Sequence, residues 1–415
     1  MQNYILKGFI VFLMLSFYQN VTGGGIGKIG DKTILKNVKH KILVLEYDNP
    51  EDQTWGKDIS QMIAQEFLGT MNGVFNMGVV HLEQKEDSLV EYTPENILKI
   101  SNQQEVLITI WGEFYVEGND VYVYSHLRII PREDFPEDAF GISMRLEIND
   151  SILKAGPATL QVNFKPIKLS IETLERMHDF YNKTIQIRKD PNESAEIKKA
   201  LKAGDTYYVL KRENDWMKII TKNATSGWIK YQNLAEQHEL NEVASVLRLG
   251  QGILQYMAGN YAVSTNTLRR YIEENSITQD HMNRCFSHIL LGNSMLHHKK
   301  YTYNIPDNEQ ISVQYREALK AFPNNASAVN HLAIVTILKD FYKREDSYES
   351  FSAVEKLLIH AIQAENNKNA IRNLEALYIV SRKFGNLRHG QDRETYDQLI
   401  EERLELLHAI EVRQD

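Results

Sequence analysis

The stretch EVLITIWGEFYVEGNDVYVYSHLRII, Glu105–Ile130, decides the fold of the first unit. It holds two alternating runs of apolar and polar residues joined at Gly118-Asn119. A glycine-containing join between two such runs predicts a long β-hairpin. Upstream, KILVLEY (Lys41–Tyr47) is a strand run that ends in the polar loop Asp48–Thr54. In Trp55–Met71, residues Ile59, Met62, Ile63, Phe67 and Leu68 recur at helical spacing, and Gly73 provides a stop. GVVHLEQ (Gly78–Gln84) reads as a short strand. TPENILKI (Thr93–Ile100) opens with a capping threonine and a first-turn proline, which predicts a helix start. Gly141–Ile148 and Ala158–Lys165 offer further strands. Strands alternating with helices predict an α/β unit with a mixed sheet over residues 39–175.

That order of elements resembles the amino-terminal α/β domain of TolB and the core of the curli-secretion lipoprotein family. KILVLEYDN in the first strand and EVLITIWGEF in the long strand carry the likeness. The resemblance implies an envelope protein whose domain binds and has no chemistry of its own. The lipid-bearing cysteine of the curli family is absent near the amino terminus, so pore formation does not follow.

A second unit is expected at 183–234. Its short runs, Thr184–Pro191, Ile197–Asn214, Asp215–Thr221 and Ser226–Leu234, are punctuated by Gly204-Asp205 and Glu213-Asn214. Such spacing predicts a small β-barrel. The features IQIRKDP, LKAGD, NDWMKI and SGWIKYQNL make it resemble a bacterial SH3-like domain. Two of the four tryptophans, Trp216 and Trp228, stand here. In that family one such ring commonly packs and the other borders a shallow groove. Trp228, between Gly227 and Ile229, is expected in the core; for Trp216, core and groove stay equally open. The candidate ligand-binding set is Trp216 with Tyr207, Tyr208 and Tyr231, and the implied ligand is a peptide, such as a peptidoglycan stem peptide.

From residue 243 to 412 the pattern is helical. Gly252…Tyr261 and Gly292…Tyr301 align as a repeat, each with a small residue nine before the final aromatic. YREALKAFPNNASAVNHLA (Tyr315–Ala333) has Ala318, Pro323, Ala326 and Leu332-Ala333 where helix pairs need small residues and a break. The segment resembles a degenerate tetratricopeptide (TPR) array, with insertions expected at Tyr303–Ser312 and Asp340–Ser350. The resemblance implies a concave face that holds a peptide or helix.

The 415-residue chain is long enough for several domains, and its net charge of −8 with a pI near 5.9 argues against a nucleic-acid partner. Residues 1–23 have an early lysine, an apolar run too short to span a bilayer, and small residues before Gly23. They predict an export signal, followed by a flexible linker at 24–38 and a periplasmic or secreted destination. No transmembrane segment is expected after signal cleavage. One cysteine, Cys285, excludes an intramolecular disulfide.

Reaction chemistry is sparse. TGGGIGKIGDKT (Thr22–Thr33) lacks the glycine spacing and the Ser/Thr after lysine of a phosphate loop. No serine elbow is present. His281, Cys285 and His288 share a helical spacing that zinc would accept, but packing positions explain Cys285 and His288 equally well. Tyr115, Tyr122 and Tyr124 predict an aromatic stripe on one sheet face. The resulting expectation is an exported, non-catalytic scaffold or adaptor with no cofactor and no metal. Two alternatives stand beside it. One is a cell-wall-targeted enzyme acting in the α/β unit, with Asp48, Glu113 and a histidine converging. The other is a structural subunit of an envelope assembly.

Overall fold

The computed structural model describes residues 40–49, 55–70, 77–82, 91–133, 140–145, 152–157, 159–202, 207–221, 225–230, 244–275, 281–298, 305–343, 348–365, 367–384, 398 and 401–407. Within them the chain is mixed α/β with a helix-rich carboxy-terminal region. The expected export signal and linker, residues 1–38, lie outside the described residues.

Strand β1 (His40–Leu45) is buried along its whole length. Helix α1 (Gly56–Thr70) and strand β2 (Met77–Leu82) follow, and β2 pairs with β1 in parallel. Helix α2 (Pro94–Gln103) starts where the Thr93 hydroxyl accepts the Asn96 amide at 3.2 Å. Pro94 costs nothing there, because a first-turn N–H has no helical partner. Strands β3 (Ile108–Glu117) and β4 (Asp120–Ile129) form the expected hairpin, in register from Ile108 opposite Ile129 to Glu117 opposite Asp120. Gly118 takes φ +64° at the turn, a conformation that only glycine adopts without strain. Strand β3 also runs parallel to β1. Because α1 covers one face of β1 and α2 the other, β1 is apolar on both, which is why it reads as a continuous run rather than an alternation.

Strands β5 (Ile142–Arg145) and β6 (Ile152–Ala155) form a separate two-stranded hairpin. Strands β7 (Gln161–Asn163) and β8 (Ile167–Ser170) return to the main sheet on β4. The main order is β2-β1-β3-β4-β7, with β8 also on β4. Neither β6 nor β8 is among the expected strands, and the next helix is also new. This is α3 (Ile171–Asn182), capped by Ser170, whose hydroxyl accepts the Thr173 amide at 3.1 Å.

Strands β9 (Thr184–Arg188), β10 (Ile197–Lys202), β11 (Tyr207–Glu213), β12 (Trp216–Thr221) and β13 (Ser226–Lys230) make one antiparallel sheet in the order β10-β9-β13-β12-β11. The first strand thus lies beside the last. One set of alternate residues, including Ile185, Ile187, Met217, Ile219 and Ile229, is buried.

Helices α4 (Ala244–Met257), α5 (Tyr261–Asn275), α6 (His281–His298), α7 (Ile305–Ala321), α8 (Ala326–Lys343), α9 (Tyr348–Glu365) and α10 (Lys368–Phe384) each pack on the next. Helices α4, α6, α8 and α10 face the α/β unit and form an inner layer; α5, α7 and α9 pack behind. Small residues permit this. A Cβ on Gly292 would stand 2.5 Å from the Tyr315 ring of the next helix. Asn325 and Asn367 cap α8 and α10 by accepting the Ala328 and Ala370 amides at 2.9 and 3.1 Å.

Helical structure extends into both of the expected insertions. Helix α7 begins at Ile305 and takes in most of the first, because Pro306 falls in its opening turn where proline is tolerated. Helix α8 continues to Lys343 and α9 starts at Tyr348, so the second is helical at both ends.

Candidate functional site

The β5–β6 hairpin lies against the inner layer, with β6 on α8 and α10. What holds it is a track of carboxamides. Asparagine is a poor choice inside a helix, because its side chain competes with the backbone for hydrogen bonds. Yet Asn293 in α6, Asn330 in α8 and Asn373 in α10 are at most 1 % exposed. Buried carboxamides must find partners.

These do. The Lys154 amide donates to Asn373 Oδ1 at 3.0 Å, and Asn373 Nδ2 donates to the Lys154 carbonyl at 2.8 Å. Asn373 Nδ2 also donates to Asn330 Oδ1 at 2.8 Å. Asn330 Nδ2 in turn donates to the Ala326 carbonyl at 2.9 Å and to Asn367 Oδ1 at 3.2 Å. Asn330 therefore fixes the orientation in which Asn373 meets the strand.

The other strand of the hairpin, at the same open end, is held in the same manner. Asn293 Nδ2 donates to the Phe140 carbonyl at 3.3 Å, while its Oδ1 accepts the Tyr315 hydroxyl at 2.9 Å. Tyr256 Oη donates to the Gly141 carbonyl at 3.1 Å, and His297 bonds the same carbonyl. Ser327 Oγ donates to the Gly156 carbonyl. Each of these hydrogen bonds meets a main-chain group of the hairpin. Such contacts fix position and carry no side-chain information. Phe140, Ile142, Leu153 and Ala155 add the apolar anchoring, all buried.

Two histidines border this seat. His331 in α8 is fully buried, with Nδ1 2.7 Å from the Ser327 carbonyl. Burial pushes its pKa down to about 4, and its Nε2 meets no hydrogen-bond partner among the described residues. The Tyr315 ring lies 5.1 Å away. Burial also lowers the pKa of His297, which stacks on Tyr261 at 4.8 Å. Both favour the neutral ring.

The sequence-derived site residues are placed differently. Trp216 is half-buried on β12, opposite Glu213 and Lys230. Trp228 is 6 % exposed and stands opposite Lys218, hence on the same sheet face as Trp216. Ile220, on that face too, packs against the α/β unit's buried cluster of Leu43, Leu45, Ile97, Val106 and Trp111. By register Tyr207 stands opposite Thr221 and Tyr208 opposite Ile220. Tyr231 lies outside the described residues.

The tyrosine stripe forms, with Tyr115 opposite Tyr122 and edge-on to Tyr124 at 5.8 Å. Tyr115 remains 47 % exposed. Helix α2 covers the Trp111 end of this face. Asp48 and Glu113 do come together as bridge partners. His126, on that face, lies two cross-strand pairs away, with Nδ1 2.9 Å from Asn163 Oδ1.

The suggested zinc ligands do not converge. His281 is exposed, Cys285 is buried with its thiol pushed up to about 12, and His288 Nδ1 sits 3.0 Å from Gln314 Oε1. Among the described residues no three His, Cys, Asp or Glu side chains are grouped to hold a metal ion. One dyad is new. Asp58 Oδ2 lies 2.8 Å from His178 Nδ1, and the ring's Nε2 meets Asn182 at 3.1 Å. It ties α3 to α1. Among the described residues no helix is long and apolar enough to cross a membrane.

No protein-family model and no curated protein sequence matches this chain.

Proposed function

We propose that the protein is a non-catalytic scaffold or adaptor of the bacterial envelope, exported by its amino-terminal segment, that binds peptide or protein partners. The observation that carries this reading is the asparagine track. A helical layer that grips a strand through its main chain is built to hold extended peptides. The stepwise helix pairs support a TPR-like array. The adjacency of β9 and β13 supports an SH3-like barrel. On this reading Trp216 borders a second peptide groove, one suited to a cell-wall stem peptide.

The test uses the full-length protein. It is titrated with extended synthetic peptides and, separately, with purified peptidoglycan stem peptides, following peptide anisotropy and tryptophan emission. Saturable binding of either supports the adaptor, and loss of stem-peptide binding in Trp216→Ala assigns it to the barrel. A folded chain that binds neither contradicts the proposal.

A further inference from the structure

The inner helical layer is not vacant: its carboxamides are engaged by the chain's own β5–β6 hairpin. We infer that this hairpin is a resident ligand in cis, and that a partner presenting an extended peptide strand binds the asparagine track by displacing it. The inference rests on the adaptor reading and names the site and ligand chemistry for it.

Three features of the seat argue for displacement. The hairpin is a sheet of its own, since β5 pairs with β6 and neither joins the main sheet. Two strands alone are at best marginally stable in water, so its form depends on the helices. The polar grip is on main-chain atoms of Phe140, Gly141, Lys154 and Gly156, which any extended peptide also offers. Finally, the Nε2 of buried His331, beside Ser327, is a hydrogen-bonding group that none of the described residues, those of β5 and β6 included, meets. The side-chain demands are few. Leu153 and Ala155 are buried and Lys154 between them is half-exposed, so the fitting partner is a strand with apolar residues at alternate positions.

Tethering explains how such a site stays closed. A segment held in the same chain competes at a millimolar effective concentration. A trans peptide therefore binds with an affinity reduced by the fraction of molecules in which the seat is open.

The probe is a dye-labelled synthetic peptide with the sequence of residues 141–156, measured by anisotropy against full-length protein. Leu153→Asp removes the apolar anchor of the resident strand and should bind the probe at least about tenfold tighter than wild type. Adding Asn373→Ala to that variant should take the gain away. Since Leu153→Asp could unfold the chain, a second variant holds the seat shut instead. In Gly156→Cys with Asn369→Cys, a disulfide ties the hairpin to α10, helped by the 3.9 Å between a Gly156 Cβ and Asn369 Nδ2. It should bind no probe when oxidised and recover wild-type binding when reduced. Equal binding by wild type, opened and tethered chains overturns the occlusion and leaves the adaptor reading standing. No binding by a folded opened variant overturns both at this face.

Discussion

Asn373 and Lys154, 219 residues apart in the chain, exchange two hydrogen bonds: the Lys154 amide to Oδ1 at 3.0 Å and Nδ2 to the Lys154 carbonyl at 2.8 Å. The pairing copies what a neighbouring β-strand would offer. A helix side chain thereby serves as the edge partner of β6 and joins the helical layer to the α/β unit.

Removing that carboxamide strands three groups at once: the Lys154 amide, the Lys154 carbonyl and Asn330 Oδ1. Each buried group left unpaired costs about 1–3 kcal/mol, and water entering the space recovers part of it. Asn373→Ala should therefore lower unfolding stability by about 2–4 kcal/mol in a urea titration. Asn330→Ala should be costly too, and the double variant should cost less than the sum. Strict additivity would mean that the two side chains do not act as one track.

Acid should loosen the same seat. His331 has its pKa lowered from 6.5 to about 4 by burial, so the unfolded chain binds the proton more readily than the folded one. The sign follows: the neutral ring's contribution is complete above pH 6.5 and is lost as pH falls from 6.5 towards 4. The whole loss is about 3 kcal/mol. His297 shifts in the same direction, and among the described residues Tyr315 and Ser327, which carry no negative charge, also pack on His331. Unfolding measured at steps from pH 7 to pH 4.5 should show stability falling, and His331→Gln should flatten the profile. An unchanged slope in that variant would remove His331 as the cause.

The two tryptophans should separate under substitution. Trp228 is 6 % exposed, so Trp228→Ala should cost about 3–5 kcal/mol. Trp216 is half-buried and should cost clearly less, leaving the β9–β13 sheet folded by circular dichroism. Equal losses would make Trp216 a core residue and remove the groove.

Much of the α/β unit was legible because its signals are local. Gly118-Asn119 marks a turn by itself, Thr93-Pro94 marks a helix start, and Ile59 to Phe67 carry one helical face. Two short strands, β6 and β8, were not legible. Ile152–Ala155 spans four residues, too few to show an alternation. Its role is set by residues of α8 and α10 far along the chain. The asparagines were hidden for a related reason. Asn330 stands inside the repeat-like stretch Tyr315–Ala333, but nothing local distinguishes a buried carboxamide from a solvated one. The one available signal is that Asn293, Asn330 and Asn373 fall inside helices, where asparagine is disfavoured unless bonded. For the tryptophans, sequence reasoning placed Trp228 in the core, and the structure agrees.

The central claim is that β6, paired with β5 on one edge, is held on its other edge by a side-chain track rather than by a strand. Hydrogen exchange at the single Lys154 amide, in wild type and in Asn373→Ala, tests it most directly. The account predicts a protected Lys154 amide in wild type that exchanges at least about a hundredfold faster in the variant, while β1 amides keep their protection. Rapid exchange at Lys154 in the wild-type protein, or protection that survives the loss of Asn373, would contradict it.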